Sequence, residues 1–263
     1  MSRVHFITRA DDLGSSISAN KAIDKVCRAG FFKNVSVMAP GPYVEHAAEL
    51  LATRKDICFG MHITLNAEWD LVKWKPLTAI GPSSGLVDDN GFFLNSPRLF
   101  IETKPDVSLI MKEVNEQLEL LNKLGFNIIY LDSHMFPEMC VDSLDDAIKD
   151  FAKKKGLVDH MYYYETPPGF TELSKNLPGL SGYLKKLPEG QCLIVSHPAL
   201  YDEEMLQTGN ESTSGEEIAK SRAGETKQYS SLLLRLLLKR YGCAGIRYDE
   251  AKPGERMKVP PLK

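Results

Sequence analysis

Residues 4–30 read VHFITRADDLGSSISANKAIDKVCRAG. Val4 to Thr8 is a short run rich in β-branched residues and predicts a strand. From Ser18 to Ala29 the apolar positions Ala22, Ile23, Val26 and Cys27 recur at helical spacing, with Ser16 or Ser18 available as N-cap and Gly30 as the stop. Between strand and helix stand two carboxylates, Asp11 and Asp12. The stretch is one βα unit whose strand ends in acid.

The same alternation continues along the chain. NVSVMAP (34–40), ICFGMHITL (57–65), FNIIYLDSH (126–134), LVDHMYYY (157–164), QCLIVSHP (191–198) and residues 243–248 read as further strands. Helices are expected over 44–53, 106–124, 144–154 and most of 216–241, with the 106–124 segment strongly amphipathic and closed by Gly125. Repeated βα units imply a parallel sheet with right-handed crossovers. About seven strands in 263 residues predict an α/β fold, a single-domain distorted (β/α) barrel over residues 1–263. The exception is residues 66–97, a long inserted loop with both tryptophans, scattered Pro and Gly, and at most a hairpin. Loops of this length are commonly functional, so a lid or substrate-binding role is expected. Trp69 and Trp74 could stack on a sugar; packing in the loop's own small core is the simpler reading.

Composition narrows the function classes. Hydrophobic residues at 43% and charged residues at 25% are those of a folded globular chain. With net charge −3 and only Lys153–Lys155 as a basic run, the footprint of a nucleic-acid binder is missing. The five cysteines have no C-x-x-C pair or zinc-finger spacing and read as reduced structural thiols. The first residues lack the order of a secretory signal, and the apolar run at 232–238 is broken by Arg235, so no membrane span and a cytoplasmic location are expected.

In parallel α/β architectures the ligand sits at the carboxyl ends of the strands. Here those ends carry Asp11 and Asp12, His62, Asp132 with Ser133 and His134, and Ser196 with His197. Singly, each has a bland explanation as turn, cap or hydrogen-bonded core residue. Four such ends facing one pocket describe a mononuclear metal hydrolase. Asp12, His62 and His134 would ligate one divalent ion with positions left open, Asp11 would act as general base, and His197 as general acid. Asp132, two residues before His134 and on its face, could orient a ligand imidazole or pair with Arg9 or Arg222. Arg222 and Glu225, at i, i+3 on a helix, fit an ordinary surface ion pair at least as well. His5, His46 and His160 have no supporting pattern and read as structural.

RADDLG (9–14), GMHITL (60–65), LDSHMFPE (131–138) and SHPAL (196–200) together resemble the successive signatures of the YdjC-like carbohydrate deacetylases, which include chito-oligosaccharide deacetylases. A weaker R-x-x-E at Arg222 and Glu225 extends the match. The resemblance implies a distorted (β/α) barrel, metal ligands at Asp12, His62 and His134, a catalytic base at Asp11, and hydrolysis of an N-acetyl group from an amino sugar or oligosaccharide. It implies Mg2+, whereas two imidazoles and a carboxylate suit Zn2+ or Co2+ better. A homodimer is the assembly to expect. Arg9, Leu13, Met135, Phe136 and Ala199 depart from the family's usual residues. Two rivals stand beside this reading: a glycoside hydrolase using the carboxylate pair Asp11 and Asp132, and a sugar-binding homologue without turnover.

Overall fold

The computed structural model describes residues 2–167, 177–259 and 262. Seven parallel strands form one sheet: β1 (Val4–Leu13), β2 (Asn34–Val37), β3 (Cys58–Ile63), β4 (Ile128–Ser133), β5 (Val158–Asp159), β6 (Gly190–Ser196) and β7 (Cys243–Ile246). The path runs β5-β4-β3-β2-β1-β6. The long β1 serves three neighbours, with β6 alongside Val4–Ala10, β7 alongside Val4–Ile7, and β2 alongside Arg9–Leu13. The sheet curls into a half-barrel that stays open between β5 and β6. That opening is the distortion of the expected barrel.

Strands covered on both faces should be apolar throughout rather than alternating. Accordingly β2 and β3 are buried along their full length, and β1 everywhere except His5. Gly60 in β3 is there for lack of a side chain, because a Cβ would run into the Tyr130 ring on β4.

Helices α1 (Ile17–Arg28), α2 (Val44–Leu51), α3 (Phe100–Thr103), α4 (Val107–Lys123), α5 (Leu144–Lys155), α6 (Leu177–Lys186), α7 (Gly215–Tyr229) and α8 (Leu232–Arg240) connect the strands. Ser16 caps α1, accepting from the Ala19 amide, and Asp106 caps α4 through the Ser108 amide. α4 buries Ile110, Val114, Leu118 and Leu121 on one stripe. Two buried polar residues of α4 face the segment after β3. Gln117 pairs with both backbone groups of Thr64, and Glu113 accepts from the amides of Leu77 and Thr78. They pin the base of the long loop.

That loop carries a turn at Pro82–Ser84 and one antiparallel bridge, Val87 to Phe93. Trp74 is buried and donates to the Asn66 carbonyl, so the packing reading holds for it. Trp69 instead lines the central pocket. The expected strand over 157–164 shrinks to two residues. Asp159 caps the Met161 amide and starts a 3-10 turn, His160–Tyr163, that replaces the strand. The expected helix over 216–241 breaks at Ser230–Ser231 into α7 and α8. All five cysteines are free thiols. Among the described residues no helix is long and apolar enough to cross a membrane.

Candidate active site

Successive residues of a regular strand face opposite sides, so a paired Asp-Asp cannot ordinarily share one pocket. At the end of β1 the pairing with β2 slips between Ala10 and Leu13, and Asp12 takes φ +68°. This bulge turns Asp12 back into the pocket that Asp11 also lines. The left-handed conformation costs roughly 1–2 kcal/mol for a residue with a side chain, and Asp tolerates it better than most.

His62, on β3, lies beside Asp132 of β4 in register. His134 follows the end of β4 and extends its ladder, its amide donating to the Ile63 carbonyl. Asp12 Oδ1 lies 3.6 Å from His62 Nε2 and 3.5 Å from His134 Nδ1, and the two nitrogens are 3.2 Å apart. Three ligand atoms about 2.1 Å from one ion, spread by about 90–110° around it, would stand roughly 3.0–3.4 Å apart. The observed triangle, 3.2–3.6 Å on its sides, is only slightly wider than such a ligand set.

The outward nitrogens settle the tautomers. His62 Nδ1 is 3.1 Å from Asp132 Oδ1, and His134 Nε2 is 2.8 Å from Glu68 Oε2. With those protons donated to carboxylates, the lone pairs of His62 Nε2 and His134 Nδ1 converge on the same point as Asp12 Oδ1. With the imidazoles in these neutral tautomers, that buried oxygen has no hydrogen-bond donor. Two imidazole lone pairs and an orphaned carboxylate oxygen repel one another unless something positive lies between them. The donor set fits a divalent cation.

The charges say the same. Burial would lower the pKa of His62, yet the carboxylates of Asp132 and Asp11 raise it to about 10. Burial also opposes the protonated form of His134, and Glu68 and Asp12 raise it to about 9. Burial works against ionised Asp12, but the Arg222 guanidinium and both imidazoles hold its carboxyl well below the usual range. Arg222 Nη1 sits 2.8 Å from Asp12 Oδ2. The centre attracts positive charge, whether proton or metal.

Beside this triangle, Arg9 grips Asp11 with two hydrogen bonds of 2.8 Å, Nε to Oδ1 and Nη2 to Oδ2. Its Nη1 reaches Asp132 Oδ2 at 2.9 Å and His160 Nδ1 at 3.2 Å. Asp132 thus does both things considered for it, although the imidazole it holds is that of His62, across the strand pair, not that of His134. His197 Nε2 stands 4.0 Å from Asp11 Oδ2. Its backbone amide donates to Glu225 Oε2 at 2.7 Å, as does the Ser196 hydroxyl at 2.5 Å. Arg222 and Glu225 are therefore not a surface pair; each serves a different member of the site.

Arg9, Asp11, Asp12, His62, His134 and His197 line a cavity of about 550 Å³ at the carboxyl ends of the strands, with Glu68, Trp69, Met135, Phe136, Tyr164 and Arg222 among the rest of its walls. A roomier cavity of about 930 Å³ opens at the opposite end, by His5 and Gly190–Cys192. The two clusters of potential metal ligands among the described residues both belong to the carboxyl-end site, so the chemistry is there.

The sequence model of the YdjC-like proteins matches residues 5–240. The chain belongs to the YdjC-like family. Among its relatives, a carbohydrate deacetylase of Thermoanaerobacter pseudethanolicus is 29% identical over 220 residues, covering 77% of this chain and 84% of that one. A chitooligosaccharide deacetylase of Klebsiella pneumoniae is 26% identical over 162 residues, covering 60% and 58%. A crystal structure from Enterococcus faecalis, of a candidate cellobiose-phosphate cleavage protein, superposes with TM-score 0.75 at 18% identity, covering 95% of this chain and 99% of that one. It supports the fold.

In this YdjC-like chain, sequence reasoning brings Asp11, Asp12, His62, His134 and His197 to one pocket, and the structure places all five there. It misses Glu68, which sits in the aperiodic stretch after β3, where neither spacing nor motif marks it. His160, read as structural, is the buried acceptor beside Arg9; burial and that guanidinium lower its pKa to about 3, so it stays neutral.

Proposed function

We propose that this chain is a metal-dependent hydrolase that removes N-acetyl groups from acetylated amino sugars such as chito-oligosaccharides. The observation that carries the reading is the triangle of Asp12 Oδ1, His62 Nε2 and His134 Nδ1, with both imidazoles fixed from behind by carboxylates. The sugar comes from the relatives that are carbohydrate deacetylases. A divalent ion held at those three atoms would supply Lewis acidity, polarising the amide carbonyl and acidifying the attacking water. The donor set favours Zn2+ or Co2+; the family resemblance implies Mg2+.

The chain's own groups do the rest. Asp11, held in one orientation by Arg9, takes the proton of the attacking water as its oxygen bonds to the acetyl carbon. His197 hands a proton to the amide nitrogen as the C–N bond breaks, giving acetate and a free amine. Glu225 fixes the backbone of His197, and Arg222 balances the outer oxygen of Asp12. The rival use of Asp11 with Asp132 as a glycosidase pair meets an obstacle, because Asp132 is fully buried, committed to Arg9, Ser36 and His62, and absent from the pocket wall.

The test is metal analysis of protein purified without added metal, with acetate release from N-acetylglucosamine oligomers. Wild type should release acetate and leave glycosidic bonds intact. Asp11→Asn should keep its metal and lose its rate, while His62→Ala should lose the metal. A His62→Ala protein that binds metal as wild type does would refute the assignment.

A further inference from the structure

The pocket has two unlike walls. One holds the charged groups Asp11, Asp12, His62, His134, His197 and Arg222; the other is formed by Met135, Phe136, Tyr164 and Val195. The second wall is built at a cost, since Met135 and Phe136, immediately after ligand His134, both adopt left-handed backbone, at φ +57° and +53°. Neither is a glycine or asparagine, the residues that relax such a turn. Strain of this kind persists only where the surroundings over-determine it, and it gathers at ligand-binding sites.

The turn packs into a cluster of three rings. Phe136 lies 5.7 Å from Tyr164, edge to face, and 6.2 Å from His160, and those two rings are 5.8 Å apart. His160 is buried and accepts from Arg9, which in turn clamps Asp11. The position of the Phe136 ring is thereby tied to that of the carboxylate beside the metal-ligand triangle. On the first wall, Trp69 already has the Arg222 guanidinium 5.9 Å from its ring centroid. Among the described residues no guanidinium or ammonium lies over Phe136, which is half-buried and lines the pocket.

Resting on the deacetylase reading above, we propose that Phe136 is the specificity-determining residue for the sugar ring, stacking on the apolar C–H face of the pyranose that carries the acetamide, with His160 and Tyr164 as its positioning residues. A flat apolar ring next to a charged wall selects an acetamide borne on a pyranose over one borne on an acyclic chain. Its contribution is realised on binding, so it acts on KM.

Two substrates with the same scissile bond separate the claims: N,N′-diacetylchitobiose and N-acetylethanolamine. In Phe136→Leu, which keeps apolar bulk without a flat face, the ratio of kcat/KM for sugar over acyclic amide should fall about three- to tenfold, carried by KM. Phe136→Tyr should hold the ratio within about twofold. An unchanged ratio in Phe136→Leu, an equal loss in Phe136→Tyr, or a fall in kcat at constant KM overturns the proposal. If wild type turns over neither substrate, the deacetylase reading fails on its own. The ring claim is then read by calorimetry of the disaccharide against Asp11→Asn protein, where adding Phe136→Leu should weaken Kd about three- to tenfold, and an unchanged Kd overturns it.

Discussion

Replacing Glu68 with alanine separates two jobs of one hydrogen bond. Glu68 Oε2 receives the Nε2 proton of His134 at 2.8 Å, both side chains being buried. Its loss removes the carboxylate that sharpens the opposite lone pair, and such losses typically cost about 10–100-fold in metal affinity, or roughly 1.4–2.8 kcal/mol. The same carboxylate is the leading cause that lifts His134 to about 9. At pH 7 the wild-type imidazole must first give up a proton, costing about 2 pH units, or roughly 2.7 kcal/mol. In Glu68→Ala that cost shrinks, with Asp12 still favouring the proton. Near pH 7 the two effects oppose each other, and affinity at a single pH would hide them.

The slope reveals them. In the metal-free wild type both imidazoles carry protons between about pH 6.5 and 9, so binding Zn2+ should release two protons, and log K should rise by about two per pH unit. Glu68→Ala should release fewer, with a shallower slope, and its affinity should fall furthest behind wild type near pH 9. Competition with a chromophoric chelator at several pH values measures both. If Glu68→Ala keeps the wild-type slope, Glu68 does not set the proton on His134, and the tautomer assignment fails with it.

Three further outcomes are expected. The folded-state pKa values of His62 and His134 lie above the ordinary 6.5, so their stabilisation of the metal-free protein is complete below about pH 6.5 and is lost as pH rises through 9–10, at about 1.4 kcal/mol per unit for each histidine. Thermal melting of chelator-treated protein should therefore fall from pH 7 to pH 10, and a flat profile would contradict the burial of these protons. Glu225→Ala frees the amide of His197 and the Ser196 hydroxyl; acetate release should drop at least about tenfold in kcat with metal content unchanged. Gly60→Ala drives a methyl into the Tyr130 ring, whose hydroxyl bonds Ser36 beside Asp132. It should cost about 1–3 kcal/mol, lowering Tm by roughly 2–10 °C in calorimetry.

The strands and helices are legible because a two-sided parallel sheet writes its burial into continuous apolar runs, and α1 and α4 carry their caps and glycine stops in sequence. β5 misleads for a local reason: VDHMYYY has strand composition, but Asp159 caps the next turn and His160 and Met161 are buried from a 3-10 segment. The site is legible as residue types at strand ends, and no further. Nothing in RADDLG announces that Asp12 must leave the extended region for both carboxylates to share a pocket, because a bulge is set by the neighbouring strand's register. Likewise the pairing of His62 with Asp132 crosses 70 residues, and that of His134 with Glu68 crosses 66. Arg9 shows how far a sequence reading goes: its pairing with Asp132 is one of the options read there, but its two-pronged hold on Asp11 and its contact with His160 appear only in the fold. A buried guanidinium among two carboxylates and a neutral imidazole is tolerated only while all of them stay in place. The fold therefore holds the proposed base and the carboxylate behind a proposed ligand in one fixed relation, and loosening either should be felt at the other.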